Sequence, residues 1–130
     1  MARPIAYDEP GAKRRIEFAV KLDGSSPGEQ FFDRLDGSHQ AKFLALFSQL
    51  GAFGRIHDTR KFRKLRDSIW EFKHEQVRLL CGDMPGGLIL ITHGFLKKQQ
   101  KCPPSEIDRA ERIINEDQER ESKRGQPGRR

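Results

Sequence analysis

The sequence predicts an α+β fold: an N-terminal strand, a helical hairpin, a three-stranded antiparallel meander and a C-terminal helix. Three observations predict it. Residues 69–95 hold three apolar or alternating runs separated by short turn-like stretches. Two earlier runs repeat bulky apolar residues at helical spacing, and a third such run follows Pro103 and Pro104.

In residues 15–22, Ile16, Phe18, Val20 and Leu22 fall on one side, the period of a half-buried strand. Asp23, Gly24 and Ser25 then turn the chain. Ser26, Pro27, Gly28 and Glu29 have capping-box spacing with proline at the first helical position, and Phe31, Phe32 and Leu35 form an apolar face. Ser38 is placed to cap a second helix carrying Phe43, Leu44, Leu46, Phe47 and Leu50, which Gly51 is expected to end. This stripe reads as core rather than as a binding groove.

From residue 51 to 67 the period is lost, and residues 60–66 carry five cations around Phe62 and Leu65. Such a run is either a solvated stretch or a basic patch pinned to the body by its two apolar anchors. The meander follows. Trp70 and Phe72 share one side of its first strand, Val77, Leu79 and Cys81 share one side of the second, and residues 88–95 are almost all apolar. Trp70, Phe72, Val77 and Leu79 should face the helical hairpin, which sends Lys73 and Arg78 to the other face or its rim. Ile107, Ala110, Ile113 and Ile114 place the last helix over about 104–117. Residues 118–130, charged and broken by Gly125, Pro127 and Gly128, read as a disordered tail beyond a domain of residues 14–117.

The chain's 130 residues suit one core. Its 25 Lys plus Arg against 19 Asp plus Glu give a net charge of +6, which favours an anionic partner, nucleic acid first. No apolar run approaches the roughly 20 residues of a membrane span, and the start lacks a signal peptide, so a cytoplasmic protein without membrane contact is expected. Cys81 and Cys102 form no Cys-x-x-Cys knuckle, and His39, His57, His74 and His93 are scattered, so no metal is expected. The absence of a Walker A loop and of a Gly-x-Gly-x-x-Gly turn argues against a nucleotide, and no cofactor is expected.

One stretch is more specific. Lys64-Leu65, then residues 69–73 (IWEFK), 77–80 (VRLL) and 91–101 (ITHGFLKKQQK) resemble the phage-derived branch of RelE/HigB-like toxins in the RelE/ParE superfamily. There a "KL…WELR", "YRVLY" and "LLHGFxKKTxKTP" series precedes a helix opening "EI..A", matched here by Glu106, Ile107 and Ala110. The resemblance covers about residues 14–116, and its most specific part runs from His93 to Lys101. Lys73 stands where the family usually has Arg, which exchanges a bidentate fork for a point charge. Cys81 replaces a common aromatic, and Cys102 a Thr.

The resemblance implies a RelE-like fold and the toxin of a type II toxin–antitoxin system, an mRNA interferase commonly working in the ribosomal A site. It also implies a cognate helix-turn-helix antitoxin. Sister members of the superfold inhibit DNA gyrase, so a non-enzymatic ParE-like inhibitor, or a phage-derived module binding nucleic acid or protein, is the alternative.

RNA is cut without metal when its 2′-hydroxyl attacks the adjacent phosphorus, provided that protons are moved and the growing phosphorane charge is stabilised. Arg78, Lys98, Lys73 and His93 are the candidate catalytic residues, and Lys64, Lys97, Lys101 and Arg63 the candidate RNA-binding ones. Each has a blander reading. His93 suits proton transfer by its ordinary pKa, or is a structural residue fixed by a backbone carbonyl at a strand end. Arg78, a cation in an apolar strand, needs an open face or a partner such as Glu71. Lys97, Lys98 and Lys101 line a cleft or belong to a solvated linker.

Overall fold

The computed structural model describes residues 2–98 and 101–124. The chain forms β1 (Ile5–Tyr7), β2 (Arg15–Phe18), α1 (Pro27–Arg34), α2 (Gly37–Phe53), β3 (Phe62–Arg66), β4 (Ile69–His74), β5 (Val77–Met84), β6 (Leu88–Leu96) and α3 (Pro104–Arg124). The strands make one sheet in the order β1-β2-β6-β5-β4-β3. All neighbours are antiparallel except β2 and β6, which run parallel with Ile16 opposite Ile89 and Phe18 opposite Ile91.

Each face of the sheet has its own apolar layer. On one, α1 and α2 bury Phe43, Phe47 and Leu50 against Ile16, Phe72, Leu79, Ile89 and Ile91. Trp70, Phe72, Val77 and Leu79 belong to this layer, as their alternation predicts. On the other, α3 sets Ile107, Ala110, Ile113 and Ile114 on Ile69, Leu80 and Leu90. The central strand β6 is covered from both sides, which is why its sequence is a continuous apolar run.

Several boundaries differ from the expectation, each for a local reason. The first strand stops at Phe18 rather than Leu22: the Val20 and Leu22 N–H groups donate to the Asp117 and Glu116 carboxylates instead of to a strand. Leu22 is exposed. Ser26 makes no cap bond, because its hydroxyl donates to the Ala19 carbonyl. Asp36, not Ser38, caps α2 by accepting the His39 N–H at 2.8 Å. Gly51 does not end that helix; it lies inside it, where an added Cβ would overlap the Tyr7 ring. Gly54, at φ 85°, is the left-handed residue that closes it.

Two strands were not anticipated. β1 is a three-residue edge, and β3 is the other edge, built from the basic run. The meander therefore has four strands. Charged residues along an outer strand suit an edge, since they discourage pairing with another chain.

The last helix continues to Arg124, so residues 118–124 are not a tail. Residues 125–130 lie outside the described residues. The extension is anchored by Asp117, whose fully buried carboxylate accepts from Arg3 at 2.8 Å, from the Val20 N–H at 2.9 Å and from Arg120 at 3.4 Å.

Candidate nucleic-acid interface

Strand register decides which cations meet. Arg63 lies opposite Glu71, and Lys73 opposite Arg78, which in turn lies opposite Phe95. Because side chains alternate, Arg63, Glu71, Lys73 and Arg78 all stand on the α3 face of the sheet. The apolar stripe of α3 covers Ile69, Leu80 and Leu90 of that face, and the charged group lies beside this covered area, toward the β4–β5 turn.

Glu71 is buried at the centre. It accepts from Arg63 Nη2 at 2.7 Å, and Arg78 Nε approaches its other oxygen to 3.7 Å without making a hydrogen bond. Arg78 is buried as well, and its Nη1 donates to the Glu75 and Val77 carbonyls at 2.7 and 3.0 Å. The Nε atoms of both Arg63 and Arg78 are buried without a hydrogen-bond partner. Burial pulls the Arg78 pKa down, with Glu71 opposing it. Burial and the neighbouring Arg63 also lower that of Lys73, whose Nζ donates to the Thr59 carbonyl at 3.3 Å. Three cations thus share one carboxylate, two of them with an unused N–H, in partly dehydrated surroundings where charge acts strongly. The arrangement suits a phosphate group.

The segment between β6 and α3 returns past this cluster. The Lys97 N–H donates to the Gln76 carbonyl at 2.7 Å, and the Cys102 thiol is close enough to Glu71, Arg63 and Arg78 to feel their charges. Burial first, then Glu71 and Glu106, push that thiol up to about 11. Lys97 is half-buried, and Lys98 and Lys101 are exposed along the same segment.

Two sequence candidates are placed elsewhere. Lys64 lies opposite Trp70 on the hairpin side of the sheet, lining a hollow with Arg55, His57 and Phe62 that Arg63 also borders. It therefore stands apart from Glu71 and Arg78. His93 is only 1% exposed. Its Nε2 meets Glu106 Oε1 at 2.8 Å and its Nδ1 meets Thr92 Oγ1 at 3.1 Å, so the carboxylate of the first turn of α3 holds it rather than a backbone carbonyl. With α3 in place, His93 is covered. Burial lowers its pKa, and Glu106 opposes the shift.

Residues 30–115 match the family described as Phage derived protein Gp49-like (DUF891). The chain belongs to this family. Gp49-like proteins are toxin–antitoxin toxins related to RelE/HigB, and membership implies an antitoxin partner. No curated protein matches the chain. The Gp49-like match takes in the end of α1, all of α2, β3 to β6 and the first half of α3, and so contains the whole Arg63, Glu71, Lys73 and Arg78 cluster. No helix among the described residues is long and apolar enough to cross a membrane.

The fold also assembles a group that the sequence reading passed over. His39 at the start of α2 meets His74 and Glu75 at the β4–β5 turn. No local spacing signals this, since tertiary packing alone joins residues so far apart in the chain.

Proposed function

We propose that this Gp49-like protein is the toxin of a type II pair and cleaves mRNA on the ribosome. The observation that carries the reading is the set of Arg63, Lys73 and Arg78 around the one carboxylate of Glu71. Arg78 and Arg63 would turn their unused N–H groups toward a phosphate, while Lys97, Lys98 and Lys101 hold the flanking backbone. The 2′-hydroxyl oxygen attacks phosphorus, the bond to the 5′-oxygen breaks, and a 2′,3′-cyclic phosphate and a 5′-hydroxyl result. No divalent ion is needed for these bond changes. Lys73, opposite Arg78 in the register, would take the proton of the 2′-hydroxyl and return it to the departing 5′-oxygen, a role for which His93 is too deeply buried. The partner would be a helix-turn-helix antitoxin whose acidic segment masks the cations, with salt-sensitive association.

The test is controlled expression with and without the neighbouring gene, followed by primer extension on ribosome-bound message. Growth arrest, cleavage and cyclic-phosphate ends are expected. Arg78→Ala should lose roughly a hundredfold in rate, given about 2.7 to 4 kcal/mol for a lost transition-state donor, with folding verified by circular dichroism. A folded Arg78→Ala protein cutting at the wild-type rate removes Arg78 from the site. A wild-type protein that cuts nothing while blocking gyrase moves the assignment to non-enzymatic inhibition.

A further inference from the structure

We infer that His39, His74 and Glu75 form a binding site for one divalent transition-metal ion, zinc above all. Each residue offers one ligand atom, and the three atoms lie within 4.8 Å of one another. His39 Nε2 already stands 3.3 Å from Glu75 Oε1. A tetrahedral zinc ion with bonds of about 2.0 to 2.2 Å holds its ligand atoms about 3.3 Å apart, so small side-chain rotations complete the geometry. Two imidazoles and a carboxylate are a donor set that zinc accepts, with a fourth position left for water.

Two further features point the same way. The other ring nitrogen of His39 is held by the Asp36 carboxylate at 3.0 Å. That bond leaves Nε2 directed toward the cluster and is the carboxylate–histidine support that ligating imidazoles usually carry. His74 Nδ1 is buried without a hydrogen-bond partner, so the ring makes no bond there that ligation would break. A plain His39–Glu75 ion pair accounts for the first contact, and the His74 ring stands edge-on to His39 and Phe43 with its Nδ1 left unpaired.

The site is open to solvent: His39 retains 22% and Glu75 69% of side-chain exposure. The carboxylates of Asp36 and Glu75 supply negative charge, whereas Lys42 and Lys61 line the adjoining hollow with His74 and moderate the affinity. A bound ion would clamp the start of α2 to the β4–β5 turn. Because the Glu75 carbonyl accepts from Arg78, the clamp would also steady the backbone against which that guanidinium rests.

The inference stands apart from any RNA cleavage, and its test needs only the tag-free, full-length, metal-stripped protein and zinc chloride. Calorimetric titration should show one ion per chain together with a raised melting temperature. Cobalt should give the visible absorption of four-coordinate Co2+. His39→Gln, at a half-buried position, and Glu75→Gln, at an exposed one, should each weaken binding at least tenfold and abolish the thermal shift. Absence of binding to millimolar zinc, or binding that survives both substitutions, overturns the site.

Discussion

Asp117 offers the most quantitative test of how α3 is held. Its carboxylate takes Arg3 Nε at 3.1 Å and Nη2 at 2.8 Å, the Val20 N–H at 2.9 Å and Arg120 Nη2 at 3.4 Å, and its side chain has no solvent exposure. Asp117→Ala removes an acceptor from two guanidinium groups that are each 11% exposed. Breaking a buried pair by deleting one member costs about 3 to 5 kcal/mol. Arg3 keeps Glu17 and Arg120 keeps Glu121, which favours the lower end, about 3 kcal/mol. For a domain of this size that lowers the melting temperature by about 10 °C. Urea unfolding followed by far-ultraviolet circular dichroism measures it directly, as a lower midpoint at unchanged slope.

The acid dependence gives a second handle on the same residue. Burial would raise the Asp117 pKa, but the hydrogen bonds from Arg3 and the Val20 N–H hold it below the ordinary 3.8. A carboxyl depressed in the folded state contributes stability in full above its unfolded pKa and loses it as pH falls through the folded value. Wild type and Asp117→Asn should therefore converge only below about pH 4. A loss under 1 kcal/mol for Asp117→Ala would refute the view that this network holds α3.

Two further outcomes follow from buried titratable groups. His93→Gln should cost about 1 to 3 kcal/mol of stability through the lost Glu106 contact, while the rate of RNA cleavage per folded molecule stays unchanged; because burial lowers the His93 pKa, wild-type stability should fall as pH drops below 6.5, and the variant should lack that slope. Cys102, raised from 9.0 to about 11, should alkylate with iodoacetamide roughly a hundredfold more slowly than a model thiol at neutral pH, and urea should restore the ordinary rate.

The sequence made the meander legible because β4 and β5 alternate and β6 is apolar throughout, and these patterns report burial directly. β3 escaped because an edge strand needs no apolar alternation: Phe62 anchors it, and cations occupy most of the rest. The ends of α2 misled for another reason. Ser38 and Gly51 are good boundary residues by type, yet Asp36 and Gly54 hold the cap positions, and Gly51 is needed small for Tyr7. At the candidate interface, strand period correctly sent Lys73 and Arg78 to the face away from Trp70. The same period, once β3 is known to be a strand, separates Lys64 from Arg63. His93 could not be settled from its own neighbourhood, since its partner Glu106 comes from a helix whose placement only the fold reveals.

The strand order has a consequence for synthesis. β3, β4, β5 and β6 pair with their neighbours in the chain, so these four of the six strands can form from local contacts soon after they emerge. β2 is made early, but its partner is β6, with Arg15 opposite Leu88. β1 and β2 can pair with each other, but the other edge of β2 must wait while the intervening residues are translated. During that interval this edge is open. Asp117, which ties down both Arg3 and the Val20 backbone, arrives later still. The sheet and its N-terminal strands should therefore lock together only after α3 has been made, so a nascent chain lacking α3 should expose the edge of β2.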